Sequence, residues 1–159
     1  MTRMMFSAAV AFVLVAGVEQ RIASADMSKG VIGAFRGQLV VSKDELPEGK
    51  NDKETIAKIK AAKLAAVEGA AKDEDVTYWN FHYTAFLTKT GNSKLKLEFY
   101  SGKQLSADKT LDGIDPKSSV LTGDISIDED EGLAKGKTYT VKLVGAGDAA
   151  VATATLTMK

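Results

Sequence analysis

The chain has 159 residues, a length that suits a single domain. Its 21 basic and 21 acidic residues balance, so the composition does not favour a nucleic-acid-binding surface. The lack of cysteine excludes disulfides, thiolate metal ligation and cysteine nucleophiles, and a single histidine excludes a histidine-rich metal site, so we expect no cofactor.

The N-terminal segment has the pattern of a secretory signal peptide. Arg3 gives a positive start, residues 4–18 are uncharged and mainly apolar, and Ala23-Ser24-Ala25 is a small-residue cleavage motif. The apolar run is short for a bilayer core of roughly 30 Å, and a membrane anchor or a buried helix is the alternative. We predict that residues 1–25 are cleaved. Residues 26–159 are then exported as one domain, to the periplasm or the extracellular space, without a membrane partner.

The first part of the predicted mature domain contains a strand, a loop and a helix. Residues 31–42 predict a strand, and the polar residues that follow, with a proline and a glycine, predict a loop. Residues 52–72 predict one helix with Asp52 as its N-cap, because apolar residues recur at helical spacing. A competing interpretation keeps residues 53–62 helical and makes residues 64–67 a short strand.

Residues 76–89 predict the central strand of the fold, since they contain no glycine or proline and are rich in aromatic and β-branched side chains. Side chains alternate across a strand, so one face is hydrophobic throughout, with Trp79, Phe81, Tyr83, Ala85 and Leu87. The opposite face is mixed, with Tyr78, Asn80, His82, Thr84 and Phe86. Residues 94–100 predict the next strand, with Tyr100 facing outward and residues 91–93 as the loop of a hairpin.

Four further strands are predicted where apolar and polar side chains alternate between turns, over residues 104–111, 119–128, 137–144 and 150–158. About seven strands with one helical insertion between the first two indicate a mainly β protein. We predict an antiparallel sandwich. A small antiparallel barrel closed by one helix is the alternative.

Residues 133–144 contain a local pattern in which Leu133 lies six residues before Tyr139, near the start of a predicted strand. This pattern resembles the corner before strand F in fibronectin type III and related immunoglobulin-like domains. The resemblance implies an immunoglobulin-like sandwich in which the Tyr139 hydroxyl bonds to nearby backbone. The helical insertion departs from that family, and no cysteine pair accompanies Trp79, so an antibody-type domain is not implied. No activity follows, because these folds host many functions.

The outward face of the predicted hairpin carries the candidate ligand-binding residues Tyr78, His82, Phe86 and Tyr100. Aromatic side chains on a sheet face can bind sugars or a partner protein. The alternative is that the helix covers them, since uncovered apolar patches are rare on monomers. His82 is the only side chain that normally titrates near neutral pH. No nucleophile or carboxylate stands beside it in the local sequence, so we name no catalytic residue.

Asp124, Asp128 and Asp130 are candidate metal ligands, because carboxylate oxygens bind calcium. The segment does not fit an EF-hand loop, since Glu131 takes the place of the required glycine and Lys137 that of the terminal glutamate. A solvated acidic turn between two strands is the alternative.

These patterns predict an exported, non-enzymatic module with a binding or structural role, whose partner is a protein or a carbohydrate. One alternative is a hydrolase whose carboxylates are brought together by folding, although no spacing selects a pair among Glu54, Glu68, Asp75, Glu98 and Asp124. The other alternative is a calcium-dependent surface module that uses the acidic residues 124–131.

Overall fold

The computed structural model describes residues 23–24 and 26–159. The rest of the predicted signal peptide, residues 1–22 and Ala25, therefore lies outside the described residues. In chain order the elements are β1 (Ala23–Ser24), α1 (Lys29–Phe35), β2 (Leu39–Ser42), α2 (Asp52–Ala62), β3 (Ala66–Val67), β4 (Ala70–Asp73), β5 (Val76–Phe86), β6 (Leu95–Ser101), β7 (Gln104–Leu111), β8 (Val120–Asp128), a 3-10 turn (Glu129–Glu131), β9 (Thr138–Val144) and β10 (Ala150–Met158).

The strands form two sheets. The first sheet has the order β1-β8-β5-β2, with β4 also paired to β5, and the second has the order β3-β10-β9-β6-β7. All pairs are antiparallel except β3 with β10. Within the described residues neither sheet closes on itself, so the predicted mainly β sandwich is confirmed and the barrel alternative is not.

The space between the sheets holds the main hydrophobic core, and β5 contributes its largest side chains. Trp79 and Tyr83 are almost completely buried there, as the alternation along β5 predicts. The indole Nε1 of Trp79 donates a hydrogen bond to the main-chain oxygen of Lys159, at 3.0 Å. The prediction that Trp79 lies in the core is therefore confirmed.

The corner before β9 has the hydrogen bond that the sequence pattern predicts. Tyr139 is buried, and its hydroxyl oxygen accepts a hydrogen bond from the backbone N–H of Ala134 at 2.9 Å. This contact pins the turn that leads from the first sheet into the second, and it satisfies a polar group inside the core.

The predicted strand over residues 31–42 is wrong in its first half, where α1 forms instead. The side chain of Ser28 caps α1 by accepting a hydrogen bond from Val31 N, and Val31 and Phe35, one turn apart, are both buried. Gly30 costs helix propensity but has a packing role, because a Cβ there would lie 2.1 Å from an oxygen of Asp52 on α2. Packing of the two helices thus overrides the local preference of the segment.

The predicted helix over residues 52–72 is too long. The structure ends α2 at Ala62, and the backbone N–H of Leu64 then bonds to Val41 O at 2.8 Å, which draws the chain into the sandwich. The strands β3 and β4 follow, so the competing interpretation is correct for the helix. No helix of the described residues is long and apolar enough to cross a membrane.

The predicted hairpin between residues 76–89 and 94–100 is also wrong. Strand β5 pairs with β2, β4 and β8, whereas β6 lies in the second sheet between β7 and β9. The segment between β5 and β6 therefore crosses from one sheet to the other. Leu87 and Leu97 do face the same core, but from opposite sides of it.

Candidate functional site

The outer face of the first sheet points away from the core between the sheets, and its two ends differ. At one end, which we call the covered end, the two helices pack on Val40, Phe86 and Val120, and Phe35 and Ile59 complete a second hydrophobic cluster. The rings of Phe35 and Phe86 are 5.2 Å apart. At the other end, which we call the open end, Asn80, Asp124 and Ser126 are exposed. The outer face of the same strands is thus covered by the helices at one end and accessible to solvent at the other.

A row of three polar side chains separates the two ends. His82 on β5 lies opposite Asp124 on β8, and its Nδ1 is 2.9 Å from the Asp124 Oδ1. Its Nε2 is 2.5 Å from the Oγ1 of Thr122, which is also on β8. The His82 side chain is only 6 % exposed, whereas the Asp124 side chain is 77 % exposed. Both ring nitrogens of a nearly buried imidazole are therefore satisfied by one neighbouring strand.

The two contacts of the His82 ring are compatible with one tautomer of the neutral imidazole. In that tautomer Nδ1 donates to the Asp124 carboxylate and Nε2 accepts from the Thr122 hydroxyl. Hydroxyl, imidazole and carboxylate thus stand in the order that nucleophilic hydrolases use. Burial of the ring limits access of a substrate to the imidazole, and the row holds β5 and β8 in register.

A groove of about 860 Å³ runs along the open end. Its polar lining comes from both sheets and from the segment after β2, and consists of Lys43, Asn80, Lys109, Asp124 and Ser126. Lys109 belongs to β7 in the second sheet and forms an ion pair with Glu131, just beyond the end of β8. The groove therefore has cationic, anionic and neutral hydrogen-bonding groups.

The edge of β8 beside this groove has backbone groups that no strand pairs within residues 23–24 and 26–159. Ser119 O accepts a hydrogen bond from Leu87 N, and the backbone groups of successive strand residues point in opposite directions within the sheet. The backbone N–H and C=O groups of the odd-numbered residues of β8 therefore face β5, and those of the even-numbered residues face the free edge. Among the outward residues, Thr122 lies opposite Ala23 of β1, and the N–H of Asp128 donates to Glu131 Oε2 at 3.1 Å. Asp124 and Ser126 lie between these two and face the groove.

The predicted ligand-binding residues do not form one platform. Phe86 is buried beneath α1, and Tyr78 is half-buried at the far end of β5, opposite Asp128. Tyr100 lies on the second sheet, where Lys142 Nζ is 4.6 Å from its ring centroid. The hydroxyl of Tyr100 donates to Glu98 Oε2 at 2.7 Å, and this hydrogen bond raises the pKa of Tyr100 above its ordinary value. Of the four, His82 bonds to the groove residue Asp124, and Tyr78 is two residues from Asn80 on the same face of β5.

The three predicted metal ligands do not form one cluster in the described residues. Asp124 bonds to His82, and Asp128 pairs with Lys72 at 2.7 Å, a contact that lowers the pKa of Asp128. Asp130 lies in the 3-10 turn. In the part of the chain that the structure describes, no group of three or more histidine, aspartate or glutamate side chains could hold a metal ion.

Four of the five carboxylates proposed for a hydrolase have partners in different parts of the structure. Glu54 pairs with Lys58 along α2 at 3.0 Å, Glu68 pairs with Lys159 at 3.5 Å, and Glu98 accepts from Tyr100. The structure thus gives Asp124 a histidine as its partner rather than a second carboxylate.

Sequence reasoning missed most of the groove. The sequence could have indicated Asn80 and Ser126, because alternation along each strand places Asn80 on the same face as His82 and Ser126 on the same face as Asp124. Lys43 and Lys109 carried none, since their approach depends on how the sheets and the segment after β2 are placed. The cross-strand pair of His82 and Asp124 needed the register of β5 and β8, which join residues 42 positions apart in sequence.

Comparison with protein-family models, with curated proteins and with solved structures finds no significant match for this chain.

Proposed function

We propose that the chain is an exported, non-enzymatic binding module whose partner is a protein. One observation carries the proposal: a polar groove lies beside backbone groups of β8 that no strand in the described residues pairs. Unpaired strand edges are sites where proteins recognise extended polypeptides. A carbohydrate is the weaker candidate, because Leu105 is the only large hydrophobic side chain exposed among the described residues and sugars stack on exposed aromatics.

The proposed class is immunoglobulin-like, and two observations support it. The order β2-β5-β8 corresponds to strands A, B and E, and the order β7-β6-β9-β10 corresponds to strands C′, C, F and G. Tyr139 then lies on the strand equivalent to F, with its hydroxyl bonded to upstream backbone as in a tyrosine corner. The helices depart from this class, and Trp79 lies on the strand equivalent to B rather than C.

Export with cleavage after Ala25 is part of the same proposal. In the described residues both hydrophobic clusters are built from Met27 onward, so cleavage removes none of their described side chains. Intact-mass analysis of the exported protein is expected to give a chain that begins at Asp26. A mature form that retains residues 4–18 would overturn this part of the proposal.

Site-specific photo-crosslinking in the producing cells tests the binding function. We expect a benzophenone amino acid at Ser126, in the groove, to give a protein adduct of one defined mass. The control position is Thr140, an exposed strand residue on the second sheet. No adduct at Ser126, or equal adducts at both positions, would overturn the proposal that the groove binds a protein.

One observation favours a hydrolase as the second candidate, namely the order of Thr122, His82 and Asp124. The test is hydrolysis of p-nitrophenyl acetate by the purified protein. A rate that falls at least tenfold in both Thr122→Val and His82→Gln would favour the hydrolase, because each substitution removes a different member of the row. Equal rates in the three proteins are expected if the row is structural.

A further inference from the structure

We propose that the partner binds by strand addition, as an extended polypeptide that pairs antiparallel with the edge of β8 at Asp124 and Ser126. This inference rests on the proposed binding function and on cleavage after Ala25, which removes β1 from the same edge, and it specifies how the groove is used. Each of the two residues directs its backbone N–H and C=O away from β5, toward the free edge of the sheet. Two donors and two acceptors in alternation are what a short antiparallel strand requires.

The free edge of β8 has the geometry needed to pair with another strand. β1 pairs with it in the antiparallel sense, with Ala23 opposite Thr122 and Ser24 opposite Leu121. The pairing of β8 with β5 is regular over nine residue pairs, from Phe86 with Val120 to Tyr78 with Asp128. A regular, unbulged edge can continue a sheet, because every successive backbone group is in position for the next strand.

The edge of the other sheet shows the protection that β8 lacks. In β7, Lys109 has the same parity as the buried residues Ala107 and Leu111, so a charged side chain points toward the core from that edge. The pairing of β7 with β6 is also broken by a register shift between Phe99 and Tyr100. Inward charges and irregular pairing both hinder strand addition. The described part of β8 has neither.

The charges of the edge define the chemistry of the partner strand. Asp124 is exposed and points to the outer face, so the residue opposite it is favoured to be a lysine or an arginine. Ser126 favours a polar residue opposite, and Ile125, whose side chain is buried toward the core, favours an apolar residue between them. A second copy of this chain fits poorly, because its β8 brings Asp124 and Asp128 again and no cation.

The test uses synthetic nine-residue peptides that alternate threonine and valine, with one central lysine, glutamate or proline. Residues 26–159 are used as the protein, because every described member of the two core clusters lies from Met27 onward. Binding is measured by fluorescence anisotropy, and amide hydrogen exchange by NMR locates the contact. We expect the lysine peptide to bind at least tenfold more tightly than the other two and to slow exchange at Asp124 and Ser126.

Charge reversal provides the matched variants. We expect Asp124→Lys to reverse the preference, so that the glutamate peptide binds more tightly than the lysine peptide. Asp108→Lys on β7, also an exposed edge aspartate, is the control and is expected to keep the original preference. Unchanged protection of the Ile125 and Ile127 amides, which face β5, shows that each variant is folded.

Strand addition is overturned if the lysine peptide does not bind, if the proline peptide binds equally well, or if exchange at Asp124 and Ser126 is not slowed. Crosslinking from Ser126 together with any of these results would retain the binding function and reject strand addition. Loss of the crosslink alone would reject the binding function in cells.

Discussion

The covered end and the open end of the first sheet are built by the same strands, yet their outward side chains are opposite in character. Along β5 the outward positions change from Asn80 to Phe86 within six residues, and the helices account for the change. Apolar residues occur where α1 and α2 supply a second surface, and polar residues occur where solvent does. The alternation of a strand therefore tells which face a residue is on, whereas the neighbouring layer decides whether that face is buried.

The largest expected effect comes from placing a charge in the covered end. Ile59 is fully buried, so Ile59→Asp buries a carboxylate without a partner and is expected to lower the free energy of unfolding by more than about 4 kcal/mol. Lys60→Asp, exposed in the last turn of the same helix, is the control, with an expected loss of about 1 kcal/mol or less from helix propensity and the helix dipole. Urea denaturation measures both. A loss below about 1 kcal/mol for Ile59→Asp would show that the helices do not cover the sheet.

The next effect compares two aromatic residues on the same face of β5. Phe86→Ala at the covered end is expected to cost about 3–5 kcal/mol, the usual range for a buried aromatic side chain. Tyr78→Ala at the opposite end is expected to cost less than about 2 kcal/mol, since Tyr78 is only half-buried. Thermal or urea unfolding of the two variants measures the difference. Equal losses would contradict the distinction between the two ends.

His82 lies on the border between the two ends, and its loss should have an intermediate effect. His82→Leu removes two hydrogen bonds but leaves Asp124 free to be hydrated, so we expect a loss of about 1–2 kcal/mol. The control is Thr138→Val, which removes an exposed cross-strand hydrogen bond to Thr157 in the second sheet and should change stability by less than about 0.5 kcal/mol. A His82→Leu protein as stable as the parent would mean that the row contributes nothing to the sheet.

The smallest expected effect on stability is at the open end. Ser126→Lys adds a long charged side chain to an exposed strand position, and we expect the free energy of unfolding to change by less than about 0.5 kcal/mol. The same substitution places a cation beside Asp124, so binding of the lysine peptide should weaken at least tenfold. Denaturation and anisotropy on one protein sample separate the two effects. Unweakened binding would place the peptide elsewhere.

The sequence was most informative within a single strand, where side chains alternate between the two faces with a period of two residues. Alternation along residues 76–86 predicted that Trp79, Phe81 and Tyr83 share the core, because a strand has no other way to arrange its side chains. Alternation could not predict which strands are neighbours. Leu87 and Leu97 meet the same condition, a shared core, whether their strands pair within a sheet or face each other across the sandwich.

The helical layer and the groove were beyond local patterns for a different reason. The segment that forms α1 contains Gly30 and Gly33, which disfavour a helix, and its contacts with α2 and Phe86 add to the Ser28 cap in favouring one. The pairing of His82 with Asp124 depends on strand register, and Lys109 reaches the groove from the other sheet. Each of these features results from contacts between segments distant in sequence, which a local pattern does not encode.

The hydrogen bond between Trp79 and Lys159 has a consequence for the order of events during synthesis. It joins positions 80 residues apart, and β10, which immediately precedes Lys159, lies between β9 and β3 in the second sheet. A growing chain that has not yet delivered β10 cannot complete that sheet or bury the indole, and non-local contacts of this kind form slowly. The polypeptide should therefore not complete its fold until residues 150–159 have emerged.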